Sequence, residues 1–192
     1  MPDNLVPTPS QTVGPFFHLG LARPDWNDLT LGNPSGERIV IEGRMLDGDG
    51  APIPDAMIEL WQANAVGRYN HPDDPQADKP LDPAFRGFGR AATDAEGRYR
   101  FITIRPGPVP GRGNALQAPH LNLAVFARGM LKHLYTRLYF ADEPQNQNDS
   151  LLSSIDDSTA RQTLIATPTE APATYHFDIV LQGTGETVFL DI

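Results

Sequence analysis

The sequence predicts an all-β protein: a β-sandwich of about seven to eight strands with long loops, an extended N-terminal arm and one short helix. Three observations carry this expectation. Pro and Gly number 19 and 17 of 192 residues and are scattered between short apolar runs, which suits many strands and turns rather than a helical bundle. The apolar runs alternate with period two, as in Met57/Glu59/Trp61 against Ile58/Leu60. Only Ser158 to about Ala166 reads as a helix.

In chain order, residues 1–35 are rich in Pro, Gly and polar side chains yet hold Phe16, Phe17, Leu19, Leu21 and Trp26. That much apolar surface is rare on a solvated tail, so they are expected to form an arm that packs on its own domain or on another chain. Residues 36–192 are expected to form the domain. Ile39 to Ile41 open the first strand and Asp47-Gly48-Asp49-Gly50 marks a turn. Ala56 to Trp61 is the next strand. A long loop with Pro72, Pro75, Pro80 and Pro83 follows to about residue 89, of the length usually kept for function or disorder. Thr93 to Gly97 turns into a strand from Arg98 to Ile104, and an irregular stretch runs from Arg105 to Pro119. His120 to Arg128 and Leu131 to Phe140 read as strands, as do Thr174 to Gln182 and Glu186 to Asp191. No internal repeat of fixed period is present.

Composition excludes several functions. The formal charge is −9 and no Lys/Arg cluster offers the cationic face that a nucleic-acid binder needs. There are no cysteines, so disulfides, zinc–thiolate sites, iron–sulfur clusters and thiol nucleophiles are out. Met1 to Pro7 lacks the basic and apolar regions of a signal peptide, and no apolar run is long enough for a membrane span. A cytoplasmic protein is expected.

Few residues could carry chemistry. His120 and Asn122, at i and i+2 on a strand beginning beside a loop, project from one face. Two histidines there would make a good metal pair. An amide beside imidazole is a poor transition-metal site, so the residues alone favour a hydrogen-bonded, half-buried His120. Tyr69, after Gly67-Arg68, could give a phenolate to a hard ferric ion or could simply pack its ring and donate one hydrogen bond. Spacing does not separate these readings. The pairs His133/Tyr135 and His176/Asp178 favour surface positions. No phosphate loop, Gly-x-Ser-x-Gly elbow or His-Glu-x-x-His helix is present.

Taken together and in order, these pieces resemble the intradiol catechol dioxygenases. The matching segments include Thr12-Val13-Gly14-Pro15-Phe16, Glu59-Leu60-Trp61-Gln62-Ala63-Asn64, Gly67-Arg68-Tyr69 and Gly87-Phe88-Gly89-Arg90. Ile104-Arg105-Pro106-Gly107-Pro108, Ala118-Pro119-His120, Thr136-Arg137-Leu138-Tyr139-Phe140 and Tyr175 to Ile179 extend the likeness over nearly the whole chain. The resemblance implies a ferric site of two tyrosines and two histidines, at the positions of Tyr69, Val109, His120 and Asn122. It also implies an assisting arginine where Gln117 stands. Two ligands and the arginine are therefore missing, so the resemblance points to an iron-free, degenerate subunit. A homologous β chain would then carry Fe(III), and this chain alone would be inactive.

By the same resemblance the arm would enter the partner's pocket with Thr12, Gly14 and Pro15. Arg128, which shares strand parity with His120 and Asn122, would meet a substrate carboxylate. The implied reaction is intradiol cleavage of protocatechuate (3,4-dihydroxybenzoate) with O2 to 3-carboxy-cis,cis-muconate, in aromatic breakdown. Two other readings stay open. One is a structural prealbumin-type β-sandwich, suggested by Ile41 to Pro108. The other is an autonomous enzyme whose metal sits on Tyr69, His71 and His120.

Overall fold

The computed structural model describes residues 8–14, 19–21, 23–111 and 115–191. Its strands are β1 (Arg38–Leu46), β2 (Met57–Trp61), β3 (Phe88–Ala92), β4 (Arg98–Ile104), β5 (Val109–Pro110) and β6 (Leu116–Gln117). They continue with β7 (His120–Phe126), β8 (Leu134–Phe140), β9 (Ile165–Pro168), β10 (Thr174–His176) and β11 (Ile179–Val180). A 3-10 turn (Pro144–Asn148) and two short helices, α1 (Ser150–Ser154) and α2 (Ser158–Gln162), separate β8 from β9. No helix of the described residues is long and apolar enough to cross a membrane.

The all-β class holds. Nine strands form one continuous sheet in the order β11-β1-β10-β9-β8-β7-β2-β3, with β4 paired to β1, and β5 and β6 form a separate ribbon. The path is nearly closed and barrel-like rather than two distinct layers. The link is the parallel pairing of β8 with β9, limited to Tyr139↔Ile165 and Phe140↔Ala166. Alternation sets the core: Ile39, Ile41 and Met45 of β1 are buried with Tyr99 and Phe101 of β4. They join Ile58, Leu60, Leu121, Leu123 and Val125 of β2 and β7 in one cluster. Each such side chain contributes about 1.5–3 kcal/mol by leaving water. Gln62 ties the two halves inside this apolar volume. Its Nε2 donates to Ile104 O at 2.9 Å and Ala63 O at 3.1 Å, and its Oε1 accepts from Thr103 Oγ1 at 2.6 Å.

The predicted turns form, but they join different parts of the sheet. Asp47 Oδ1 accepts from the Asp49 and Ala51 amides, building the turn at 47–50. β1 nevertheless pairs with β4, β10 and β11 and not with β2. Residues 93–97 likewise carry the chain from β3, which pairs β2, to β4, which pairs β1.

Helical content and the C-terminal strands differ from the expectation. The expected helix from Ser158 to Ala166 ends at Gln162, because Ile165 and Ala166 are taken by the pairing with β8. The additional helix α1 is held by its cap: Asp149 accepts from the Leu151 and Leu152 amides. The expected strand from Thr174 to Gln182 is two pieces. Between them Gly43 meets the chain so closely that a Cβ there would stand 1.9 Å from Phe177 O. Asp178 Oδ1 accepts from the Arg44 amide at 2.7 Å, replacing one ladder bond with a side chain. Glu186 to Asp191 is held by scattered backbone and side-chain bonds, among them Thr187 N to Val180 O, Leu190 N to Tyr135 O and Thr136 Oγ1 to Val188 O, and forms no strand.

Candidate functional site

Two irregular segments bring the site together. Gly67 adopts φ +80°, and a Cβ there would lie 1.9 Å from Pro108 O. Only glycine permits that approach, which seats the loop bearing Tyr69 against the segment that leads into Val109 and β5. Strand β7 supplies His120 and Asn122, and β8 supplies Arg137 directly opposite Asn122. A cavity of about 630 Å³ has Trp61, Tyr69, His71, Val109, Gln117 and Arg137 among its lining residues. The Trp61 and Tyr69 rings stack across 5.7 Å with planes 12° apart.

A hydrogen-bonded chain joins two of the four positions that the resemblance assigns to metal ligands, Tyr69 and Asn122, to Arg137, Gln117, Tyr139 and Asp149. Asn122 Nδ2 donates to Tyr69 Oη and to Trp61 O, each at 3.2 Å. Asn122 Oδ1 accepts from Arg137 Nε at 3.0 Å. Arg137 Nη1 donates to Gln117 Oε1 at 2.6 Å and lies 3.4 Å from Tyr139 Oη. Gln117 Nε2 donates to Pro110 O at 2.8 Å, and Tyr139 Oη donates to Asp149 Oδ1 at 3.1 Å.

Protonation follows from burial. Burial raises the Tyr69 pKa, and the Asn122 hydrogen bond and the Arg137 charge offset this only in part. Tyr69 is thus a neutral phenol at pH 7. His120 is 3 % exposed, and burial, reinforced by the Arg137 charge, lowers its pKa to about 4. Nδ1 lies 2.7 Å from Ala118 O; a carbonyl only accepts, so Nδ1 carries the proton. Nε2 is buried without a partner among the described residues.

These residues do not fit a ferric ion. A hard trivalent cation needs anionic oxygen donors. Here Val109 offers none, Tyr69 is a phenol held by Asn122, and both ends of Asn122 are engaged. His120 Nε2 is the one free donor of the four positions. The Arg137 guanidinium lies against Asn122 and repels any cation brought beside it. Among the described residues no three His, Asp or Glu side chains converge on a metal position. His71 lines the cavity with a half-exposed ring, whereas His120 does not line it.

The other predicted residues lie elsewhere. β7 ends at Phe126, so Arg128 sits beyond the strand, roughly 20 Å along it from Asn122 at about 3.3 Å per residue. Arg128 does not line the cavity. Its Nε is 3.8 Å from Asp55 Oδ2, and its side chain is 68 % exposed. Thr12 comes to the same place: its Oγ1 accepts from the Gly129 amide at 2.7 Å. Gly14 is exposed, with no described atom beyond its chain neighbours within 4 Å of where a Cβ would sit. Pro15 lies outside the described residues. The site pairs named as surface are local: His133 Nε2 is 2.6 Å from Tyr135 Oη, and His176 Nε2 is 3.1 Å from Asp178 Oδ1.

Sequence reasoning missed Arg137. Its signal was a lone cation with apolar and aromatic neighbours in Leu134–Phe140, on a face shared with Tyr135 and Tyr139.

Comparison with known proteins agrees with this geometry. A family described as Dioxygenase matches residues 13–183. The chain is 42 % identical to a protocatechuate 3,4-dioxygenase alpha chain from Pseudomonas putida, over the full length of both. It is 44 % identical to a protocatechuate 3,4-dioxygenase beta chain from Burkholderia cepacia, over 93 % of this chain and 77 % of that one. Among solved structures, the dioxygenase domain of a carbohydrate-binding fusion protein from Streptomyces sp. SirexAA-E aligns with TM-score 0.63 and 26 % identity, covering 93 % of this chain and 99 % of that domain. The chain belongs to the intradiol ring-cleavage dioxygenase family.

Proposed function

We propose that this chain is the alpha-type, iron-free subunit of a cytoplasmic protocatechuate 3,4-dioxygenase built of αβ pairs. Its assembly cleaves 3,4-dihydroxybenzoate with O2 to 3-carboxy-cis,cis-muconate, and the homologous beta chain holds the ferric ion. The observation that carries this reading is the loss of the cation site. Val109 and Asn122 stand at two ligand positions, and a guanidinium bonds to one of them. Full-length identity to an alpha chain supports the same assignment.

In this reading residues 1–35 form the arm, anchored on this chain's own β3 and β4 through Trp26, Asn27 and Leu29, and its earlier part reaches the partner, where Thr12, Gly14 and Pro15, with Arg128, line the substrate pocket. The bond from the Gly129 amide to Thr12 Oγ1 supports treating arm and arginine as one surface. Arg128 offers a guanidinium two-thirds exposed and loosely paired to Asp55, free to take a substrate carboxylate. Residues 36–192 supply the domain behind it; in the family's terms this is a β-sandwich, here nearly closed by the β8–β9 pairing.

The test is iron content and visible absorption of the chain purified alone and again with a homologous beta chain. Iron, the phenolate-to-ferric colour and O2 uptake on 3,4-dihydroxybenzoate should appear only in the complex. In that complex Arg128→Ala should raise KM by about tenfold or more and leave iron content unchanged. Stoichiometric iron and ring cleavage in the isolated chain would overturn the assignment.

A further inference from the structure

We propose that the cavity beside Tyr69 is an anion site for small arenecarboxylates, with the Arg137 guanidinium as the binding group. This goes beyond the subunit reading and needs no partner chain.

Arg137 carries a charge that no described carboxylate compensates. Arg137 is half-buried, and the partners it has are neutral: Asn122 Oδ1, Gln117 Oε1 and Tyr139 Oη. It forms no ion pair with a described carboxylate; Asp149 is reached only through the Tyr139 hydroxyl. A cation partly withdrawn from water and held by neutral dipoles retains an attraction for an anion. Of its five N–H groups, the two on Nη2 have no acceptor among the described residues.

The two carboxylates on the cavity wall do not serve Arg137. Asp74 Oδ2 accepts from the Tyr69 amide at 2.7 Å and from Gln76 Nε2 at 3.3 Å, and Oδ1 accepts from the Gln76 amide at 2.8 Å. Asp73 stands at the rim, 91 % exposed, beside His71 at 3.7 Å.

The walls define the rest of the ligand. Trp61 and Tyr69 present nearly parallel rings, and Val109 adds an aliphatic surface where a polar ligand atom would be stranded. A flat apolar body bearing one carboxylate satisfies both the walls and the guanidinium. The volume, about 630 Å³, lies in the range of small-molecule sites. Neutral aromatics gain the walls and leave the cation unpaired, so charge is the main discriminator. The site binds; nothing in it supplies a bond-breaking step.

The experiment titrates the full-length chain alone by calorimetry at constant ionic strength. The probes are benzoate and benzamide, which share shape and differ in charge. Benzoate should bind saturably at one site and benzamide about tenfold more weakly or less. Arg137→Gln, which keeps an amide beside Asn122 and Gln117, should weaken benzoate by about tenfold and leave benzamide unchanged. Equal affinities, no saturable heat with benzoate, or benzoate binding indifferent to Arg137→Gln would each overturn the proposal. If Arg137→Gln fails to fold, the benzoate–benzamide comparison on the unaltered chain decides alone. Because the titration contains no beta chain, its failure would leave the iron and activity results of the complex untouched, and the reverse holds.

Discussion

Lowering the pH from 7 to 5 should destabilise this chain through His120. The ring has its pKa lowered to about 4 by burial, with the Arg137 charge adding to the shift. In the unfolded chain the value returns to about 6.5. Between these values the unfolded state binds a proton that the folded state refuses, so stability falls as pH falls. The contribution is fully present above pH 6.5 and is lost progressively down to pH 4. For one such group the loss from pH 7 to pH 5 is about 2 kcal/mol, approaching about 3 kcal/mol at pH 4. The groups facing the ring are Arg137, Tyr139 and Asp149. Asp74 and Asp142, where burial is outweighed by hydrogen bonds that lower the pKa, lose their contributions only in more acid solution. Urea unfolding at pH 7, 6 and 5 should therefore show a steep decline in the unaltered chain and a flatter one in His120→Gln. The variant is less stable throughout; the slope is the readout. Parallel declines in the two proteins would refute the assignment of the shift to His120.

Two further perturbations test the frame around the cavity. Gly67→Ala places a methyl 1.9 Å from Pro108 O at φ +80°, so it should cost about 3 kcal/mol or more. It should also alter the fluorescence of Trp61, whose ring stacks on Tyr69, and an unchanged spectrum and urea midpoint would count against the close approach of the two loops. Asp149→Ala removes the acceptor of the Ala118 amide, the Tyr139 hydroxyl and the first amides of α1. The loss of a cap together with buried donors left unpaired should cost about 3–5 kcal/mol by urea unfolding, and a loss under about 1 kcal/mol would show that water replaces the carboxylate.

Legibility in the sequence followed the reach of the interactions. Strands β1, β2, β4, β7 and β8 were readable because their alternation reflects burial of one face, a property local to each segment. α1 and α2 are too short to display an apolar period; their marks were the caps Asp149-Ser150 and Asp157-Ser158. The near closure of the sheet rests on two residue pairs between β8 and β9, and nothing local announces a parallel contact across that separation. Of the site, Tyr69, Val109, Asn122 and Gln117 were placed by resemblance, and the structure gathers them. Arg137 escaped because a single arginine on a strand carries no pattern; its meaning comes from standing opposite Asn122.

The guanidinium in the cavity also bears on how this lineage can change. Building the metal site that the family resemblance implies would take a tyrosine at 109, a histidine at 122 and loss of the cation at 137. Taken singly, each step is a poor intermediate. A histidine at 122 would abandon the amide that now holds both Arg137 and Tyr69. Removing Arg137 first would leave Asn122 Oδ1 and Gln117 Oε1 without their donor. A tyrosine at 109 would bring a phenol ring to a valine position that is only 4 % exposed. The metal-free state of this pocket is thus held in place by epistasis: every single-residue step toward a metal site in this chain begins downhill in stability.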